Sequence, residues 1–120
     1  MRIVKSISFD AAHFLDHDPR ERPYARMHGH SFTMDVEIAG EPDPVTGWVV
    51  DFAEVEEALN ELHEQLDHRL LNDVEGLERP TLENICRWAA GKLKVKFPQL
   101  RQVRVSRPSN RETCIYDVEG

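Results

Sequence analysis

The chain has 120 residues and a formal net charge of −7, with 40% hydrophobic and 31% charged side chains. That length suits one domain around one modest core, so 1–120 is expected to be a single domain, and the composition is that of a globular rather than a disordered chain. The acidic balance argues against a nucleic acid or an anionic membrane as the main partner. It leaves room for an anionic small molecule, which needs only a local positive site such as a metal.

Residues 2–9 alternate, with Ile3, Ile7 and Phe9 on one parity and Val4 breaking it, and predict a strand. Residues 1–9 lack a signal-peptide core, and no apolar run approaches the ~18 residues of a membrane span. Residues 14–27 are polar, contain Pro19 and Pro23, and read as a loop long enough to be functional. Residues 31–40 alternate cleanly, Phe32, Met34, Val36 and Ile38 sharing a face, and predict a second strand; a turn follows at 41–47. A helix is expected from Asp51, where Asp51 and Glu54 have capping-box spacing and Phe52, Val55, Leu59, Leu62 and Leu66 form one apolar stripe. After a loop at 72–80, Thr81 can cap a second helix, with Ile85, Trp88, Ala89 and Leu93 on one face, ending before Pro98. Val103 and Val105 mark a third strand, residues 108–110 a turn, and residues 113–118 a fourth strand, giving the order β-β-α-α-β-β.

His28-Gly29-His30 is the sharpest chemical feature. In an extended segment residues i and i+2 point the same way, so both imidazoles can reach one ion, with no side chain on Gly29 between them. His13 follows the first strand and lies near the start of the second if the two form a hairpin. Three neutral imidazoles leave a fourth tetrahedral position open, the arrangement of a catalytic zinc rather than a structural one. His17, in the polar loop, and His63, beside the apolar stripe of the first helix, read as solvated or packed histidines. Asp67-His68 ends that helix and fits acid–base work if both side chains turn into the site. Cys86 and Cys114, the only cysteines, form no close ligand pair or disulfide framework and suit a cytoplasmic protein with reduced thiols.

These features stand among others in a recognisable order. Phe9-Asp10-Ala11-Ala12-His13, His28-Gly29-His30-Ser31-Phe32, Gly47-Trp48-Val49-Val50-Asp51-Phe52, Leu66-Asp67-His68-Arg69-Leu70-Leu71-Asn72 and Pro80-Thr81-Leu82-Glu83-Asn84 occur in the order and spacing of the 6-pyruvoyltetrahydropterin synthase and 6-carboxytetrahydropterin synthase family. Cys114-Ile115-Tyr116 is similar to the last strand of its bacterial members. The resemblance implies an α+β tunnelling fold (T-fold), a four-stranded antiparallel sheet with two helices on one face. Trimers of such subunits close a barrel, and two trimers stack into a homohexamer.

The resemblance also implies zinc on His13, His28 and His30, a pterin substrate of the dihydroneopterin triphosphate type, and loss of triphosphate. The pyruvoyl branch stops there; the carboxy branch also loses acetaldehyde and feeds queuosine and other deazapurines. The family's Asp-His pair maps onto Asp67 and His68 as catalytic residues. The bacterial look of the motifs favours the carboxy branch, with an aldolase-like product or a non-catalytic pterin-binding module as alternatives.

Two positions depart from the family pattern. Its loop cysteine, four residues before the first histidine of H-x-H, is Tyr24 here, and residues 14–27 contain no cysteine; Tyr24, Glu21 or a metal-bound water is left as the base. A phenol of pKa ~10 is a poorer base at neutral pH than a thiol of ~8.5. The glutamate that holds the pterin's amidine edge falls at Arg107, which has donors only, so Glu112, beyond the turn, is the candidate substrate anchor.

Overall fold

The computed structural model describes residues 1–17, 19, 20 and 22–119. Four strands, β1 (Arg2–His13), β2 (His28–Ala39), β3 (Leu100–Arg107) and β4 (Glu112–Asp117), and two helices, α1 (Phe52–Leu66) and α2 (Leu82–Lys96), follow the predicted order. The strands pair antiparallel in sheet order β1-β2-β3-β4. The helices bring Val55, Leu59, Leu62 and Leu66 of α1 and Ile85, Cys86, Ala89 and Leu93 of α2 into one buried cluster with Phe9, Phe32, Met34, Val36, Val103 and Val105 of the sheet. Alternation explains the division: these sheet residues share one face, while Ser6, Ser8, Asp10, Ser31, Thr33 and Asp35 occupy the other.

Both predicted caps are present. The Asp51 side chain accepts from the Ala53 N–H at 2.9 Å, and the Thr81 hydroxyl accepts from the Asn84 N–H at 3.1 Å. Trp88 is half-buried, its indole N–H donating to the Glu75 carbonyl at 3.1 Å.

β1 runs four residues beyond the predicted 2–9, and β2 begins at His28 rather than at residue 31. Both histidine motifs therefore lie inside the hairpin, and His13 is directly opposite His28. Ala11-Ala12 hid the extension: Ala11 is buried, but two adjacent alanines carry no alternation. Gly29 has the opposite parity to its neighbours, so its missing side chain opens the other face of the sheet instead of separating the two imidazoles. An added Cβ there would meet the Ala11 carbonyl at an ordinary 3.5 Å.

Candidate metal centre and active site

The three histidines converge at the end of the helix-covered face. Their rings pack edge to face, with centroids 4.6 Å apart for His13 and His28, 5.1 Å for His13 and His30, and 4.8 Å for His28 and His30. Phe32 lies beneath His13 and His30 at 5.8 and 5.6 Å and stacks on Phe9 at 5.1 Å, so the trio rests on the aromatic end of the core. One ligand nitrogen from each ring falls within 4.8 Å of the others.

Hydrogen bonding fixes two of the rings. His13 Nδ1 is 2.9 Å from the Pro80 carbonyl and His28 Nδ1 is 2.7 Å from the Arg26 carbonyl. A carbonyl only accepts, so in the neutral imidazoles both Nδ1 atoms carry the proton and both Nε2 atoms are bare. Those two Nε2 atoms face each other at 3.0 Å. The third, His30 Nε2, is buried without a hydrogen-bond partner. Two bare Nε2 atoms and the unpartnered third ring, each with a nitrogen within 4.8 Å of the others, fit a metal ion, and the carbonyls behind His13 and His28 are the orienting partners that metal-bound imidazoles use.

Burial pushes the pKa of His13 down to about 4, helped by His28, His30 and Arg107 and opposed by the Pro80 contact. Desolvation, and then the Arg107 charge, also lowers His30. Both shifts favour the neutral, ligating form near pH 7.

The chain that follows His13 is tied down. Asn72 brackets Phe14, its Oδ1 accepting from the Phe14 N–H at 3.0 Å and its Nδ2 donating to the Phe14 carbonyl at 2.9 Å. The Leu15 N–H donates to the Tyr24 carbonyl at 2.9 Å and folds the loop back over the site. A cavity of 340 Å³ results, lined by Tyr24, His28, His30, Arg107, Asn110 and Glu112 with Leu15. Arg107 and Glu112 are paired across the β3–β4 hairpin, whose turn closes through Arg111 at φ 57°, so both departures from the family pattern meet at this cavity. The second loop candidate, Glu21, lies outside the described residues.

Asp67 and His68 are held elsewhere, on the outer edge of β1. The Asp10 N–H donates to Asp67 Oδ1 at 2.9 Å, the His68 N–H donates to the Asp10 carbonyl at 2.7 Å, and Asp67 Oδ2 is 2.8 Å from His68 Nδ1. His68 takes a left-handed φ of 56°, a conformation costing a non-glycine residue about 1–3 kcal/mol that neighbouring contacts must hold in place. The bond to Asp67 raises the His68 pKa above 6.5, while the Asp10 N–H and then His68 lower that of Asp67.

A second concavity, of 630 Å³, is lined by Asp10, Gly29, His30, Ser31, His68 and Leu70 among others, so His30 borders both spaces. Among the described residues, no hydrogen bond or ring contact joins His68 to the three imidazoles. The sequence did not indicate the structural part of Asp10, which acts through its backbone, nor that of the Pro80 and Arg26 carbonyls, because any residue supplies those groups.

Of the remaining candidates, His17 is exposed and His63 Nε2 lies 3.8 Å from Asp67 Oδ2. Cys86 is buried between α2 and the sheet, its Sγ 3.7 Å from the carbonyls of Val103 and Cys114, and burial pushes its thiol up to about 12. Neither cysteine lines the cavity at the trio.

A four-stranded antiparallel sheet with two helices on one face and three histidines at its end defines the tunnelling-fold class. The chain belongs to the 6-pyruvoyl tetrahydropterin synthase family, whose model matches residues 2–119. It is 41% identical over 118 residues to a 6-carboxy-5,6,7,8-tetrahydropterin synthase of Synechocystis sp., covering 93% of this chain and 86% of that one. It is 34% identical over 97 residues to a dihydroneopterin monophosphate aldolase of Pyrococcus furiosus, covering 81% and 78%. The structure of 6-pyruvoyl tetrahydropterin synthase from Caenorhabditis elegans superposes with a TM-score of 0.88 at 26% identity, covering 99% of this chain and 96% of that one. No described helix is long and apolar enough to cross a membrane.

Proposed function

We propose that the protein is a zinc-dependent pterin lyase of the 6-carboxytetrahydropterin synthase type, acting on dihydroneopterin triphosphate or a related pterin. The observation that carries this reading is the trio itself. His13 Nε2 and His28 Nε2 are both bare and 3.0 Å apart, and His30 Nε2 is buried and unpartnered, beside a cavity of ligand size. Zinc held by these three residues would act as a Lewis acid toward hydroxyls on the substrate's side chain.

The chain's own groups supply the rest. His68, with Nδ1 engaged by Asp67 and its pKa raised, keeps a proton to higher pH than a free imidazole and presents Nε2 for transfer to or from carbon. Glu112, half-exposed at the cavity wall and 3.3 Å from Arg107, would accept from an amidine N–H. Tyr24, which stands in the sequence where the family has its thiol, lines the same cavity and would offer a phenol there.

A positioned general base contributes about 10²–10⁴-fold. Dihydroneopterin triphosphate should therefore turn over more slowly here than in cysteine-bearing relatives, or to another product. Two observations favour that second outcome: residues 14–27 hold no cysteine, and an aldolase is among the relatives. The alternative is carbon–carbon cleavage of dihydroneopterin monophosphate to a hydroxymethyl pterin and glycolaldehyde phosphate.

Incubating the purified protein with each substrate and identifying products by mass spectrometry separates the readings. A carboxytetrahydropterin with released acetaldehyde supports the first and a hydroxymethyl pterin the second. No product from either leaves a binding module. Rates from the triphosphate equal to those of cysteine-bearing relatives, abolished by His68→Ala, would overturn the view that Tyr24 weakens catalysis.

A further inference from the structure

Among the described residues, two buried side-chain nitrogens have no hydrogen-bond partner, His30 Nε2 and Arg107 Nε. Both belong to residues lining the same 340 Å³ cavity. The first is explained by a metal; the second is a donor, and no metal satisfies a donor.

Arg107 is 16% exposed in its side chain, and Glu112, 50% exposed, approaches Arg107 Nε at 3.3 Å without forming a hydrogen bond. The contact is ionic and leaves the N–H unspent. Among the described residues that line the cavity, Arg107 and Glu112 carry the formal charges, and the arginine is the more buried of the two. These two charges cancel, so a divalent ion on the trio would make the pocket positive in a chain of net charge −7. A guanidinium presents Nε–H and Nη–H side by side, a fork that matches two oxygens of one phosphate or carboxylate.

We propose that Arg107 is an oxyanion-binding residue of this cavity and selects ligands whose side chain carries a phosphate or a carboxylate. The identity of the rest of the ligand rests on the pterin reading above, and the oxyanion chemistry does not. With Glu112 only 3.3 Å from Arg107, an oxyanion on Arg107 and an amidine edge on Glu112 are alternative binding modes of one pterin, whose two groups lie at opposite ends of the ring.

Neopterin, neopterin monophosphate and 6-carboxypterin share one ring; the first two differ only in the phosphate, and the third carries a carboxylate on the ring in place of the trihydroxypropyl chain. Their affinities for the zinc-loaded protein are to be measured by quenching of pterin fluorescence, in wild type, Arg107→Gln and Arg107→Lys, with zinc content and circular dichroism recorded for each. A hydrogen-bonded charge pair predicts that wild type binds at least one oxyanion-bearing pterin about ten-fold or more tighter than neopterin, and that Arg107→Gln reduces this preference to about two-fold or less. Neopterin affinity and zinc content should hold. Whether the preference belongs to the phosphate or the carboxylate arm identifies the group bound.

Arg107→Lys keeps the charge without the fork and should show a reduced preference; it decides the matter if Arg107→Gln does not fold. A preference that survives both substitutions overturns the proposal, as does an equal fall for all three ligands, which would make Arg107 a contact of the ring or of the pocket wall. If no pterin binds wild type, the pterin reading fails and inorganic phosphate, followed by ³¹P line broadening, decides the arginine alone. Broadening that is lost in Arg107→Gln supports an oxyanion site, and equal behaviour of the two proteins contradicts it.

Discussion

At the scale of single residues, the site depends on which nitrogen of each ring carries a proton. The Asp67–His68 pair makes this measurable, because a carboxylate at 2.8 Å favours the imidazolium. The sign follows from the direction of each shift. With its folded pKa above 6.5, His68 adds stability fully below about 6.5, and that contribution is lost as pH rises through the folded value. Asp67, shifted the other way, contributes above 3.8 and loses its contribution as pH falls through its lowered value. An NMR titration of the His68 ring should give an inflection above 6.5 in wild type and a lower one in Asp67→Asn. Equal inflections in the two proteins would mean that Asp67 is a neighbour of His68 and not its orienting partner.

Residue identities were the most legible part of the site. The H-x-H spacing alone put two imidazoles on one face, as β2 does. The orientation of the rings was not legible, because it comes from the Pro80 carbonyl, 67 positions along the chain from His13. Nor was the left-handed turn at His68, where a histidine holds a backbone conformation that the local sequence would assign to glycine or asparagine.

At the scale of elements, the apolar stripes and the side-chain caps are local signals, and both helices formed where those signals put them. The ends of β1 and β2 are not local: they are set by pairing, which carries both strands to the His13–His28 pair. Leu59 on α1 is fully buried in the cluster that also holds Phe32, the residue beneath the trio. Leu59→Ala should cost about 2–5 kcal/mol through the cavity it leaves, against about 1 kcal/mol for loss of the α2 cap in Thr81→Ala. Thermal unfolding of both variants beside wild type checks the ranking. A smaller loss for Leu59→Ala than for Thr81→Ala would mean that α1 is not anchored through its stripe.

At the scale of the whole molecule, the sheet has two outer strands with different surroundings. Residues 10–12 of β1 are covered by the chain itself, through Asp67, His68 and the Arg69 carbonyl, which accepts from the Ala12 N–H at 3.0 Å. The rest of β1 and the outer side of β4 carry backbone groups with no strand beside them among the described residues. Such edges invite pairing with another copy. The expected assembly is a homohexamer of about 83 kDa built from 13.9 kDa chains, with edges paired around closed rings. Light scattering should find that mass at micromolar concentration, whereas a monomer would exclude edge-to-edge closure.

If His13, His28 and His30 together hold one zinc ion, elemental analysis of the purified protein will show it. Wild type should carry about one zinc per chain, and the His28→Ala, His30→Ala double variant should lose most of it while keeping its circular dichroism spectrum, because one imidazole cannot retain the ion that three ligands hold. Equal zinc in the two proteins would mean that the trio does not hold the ion.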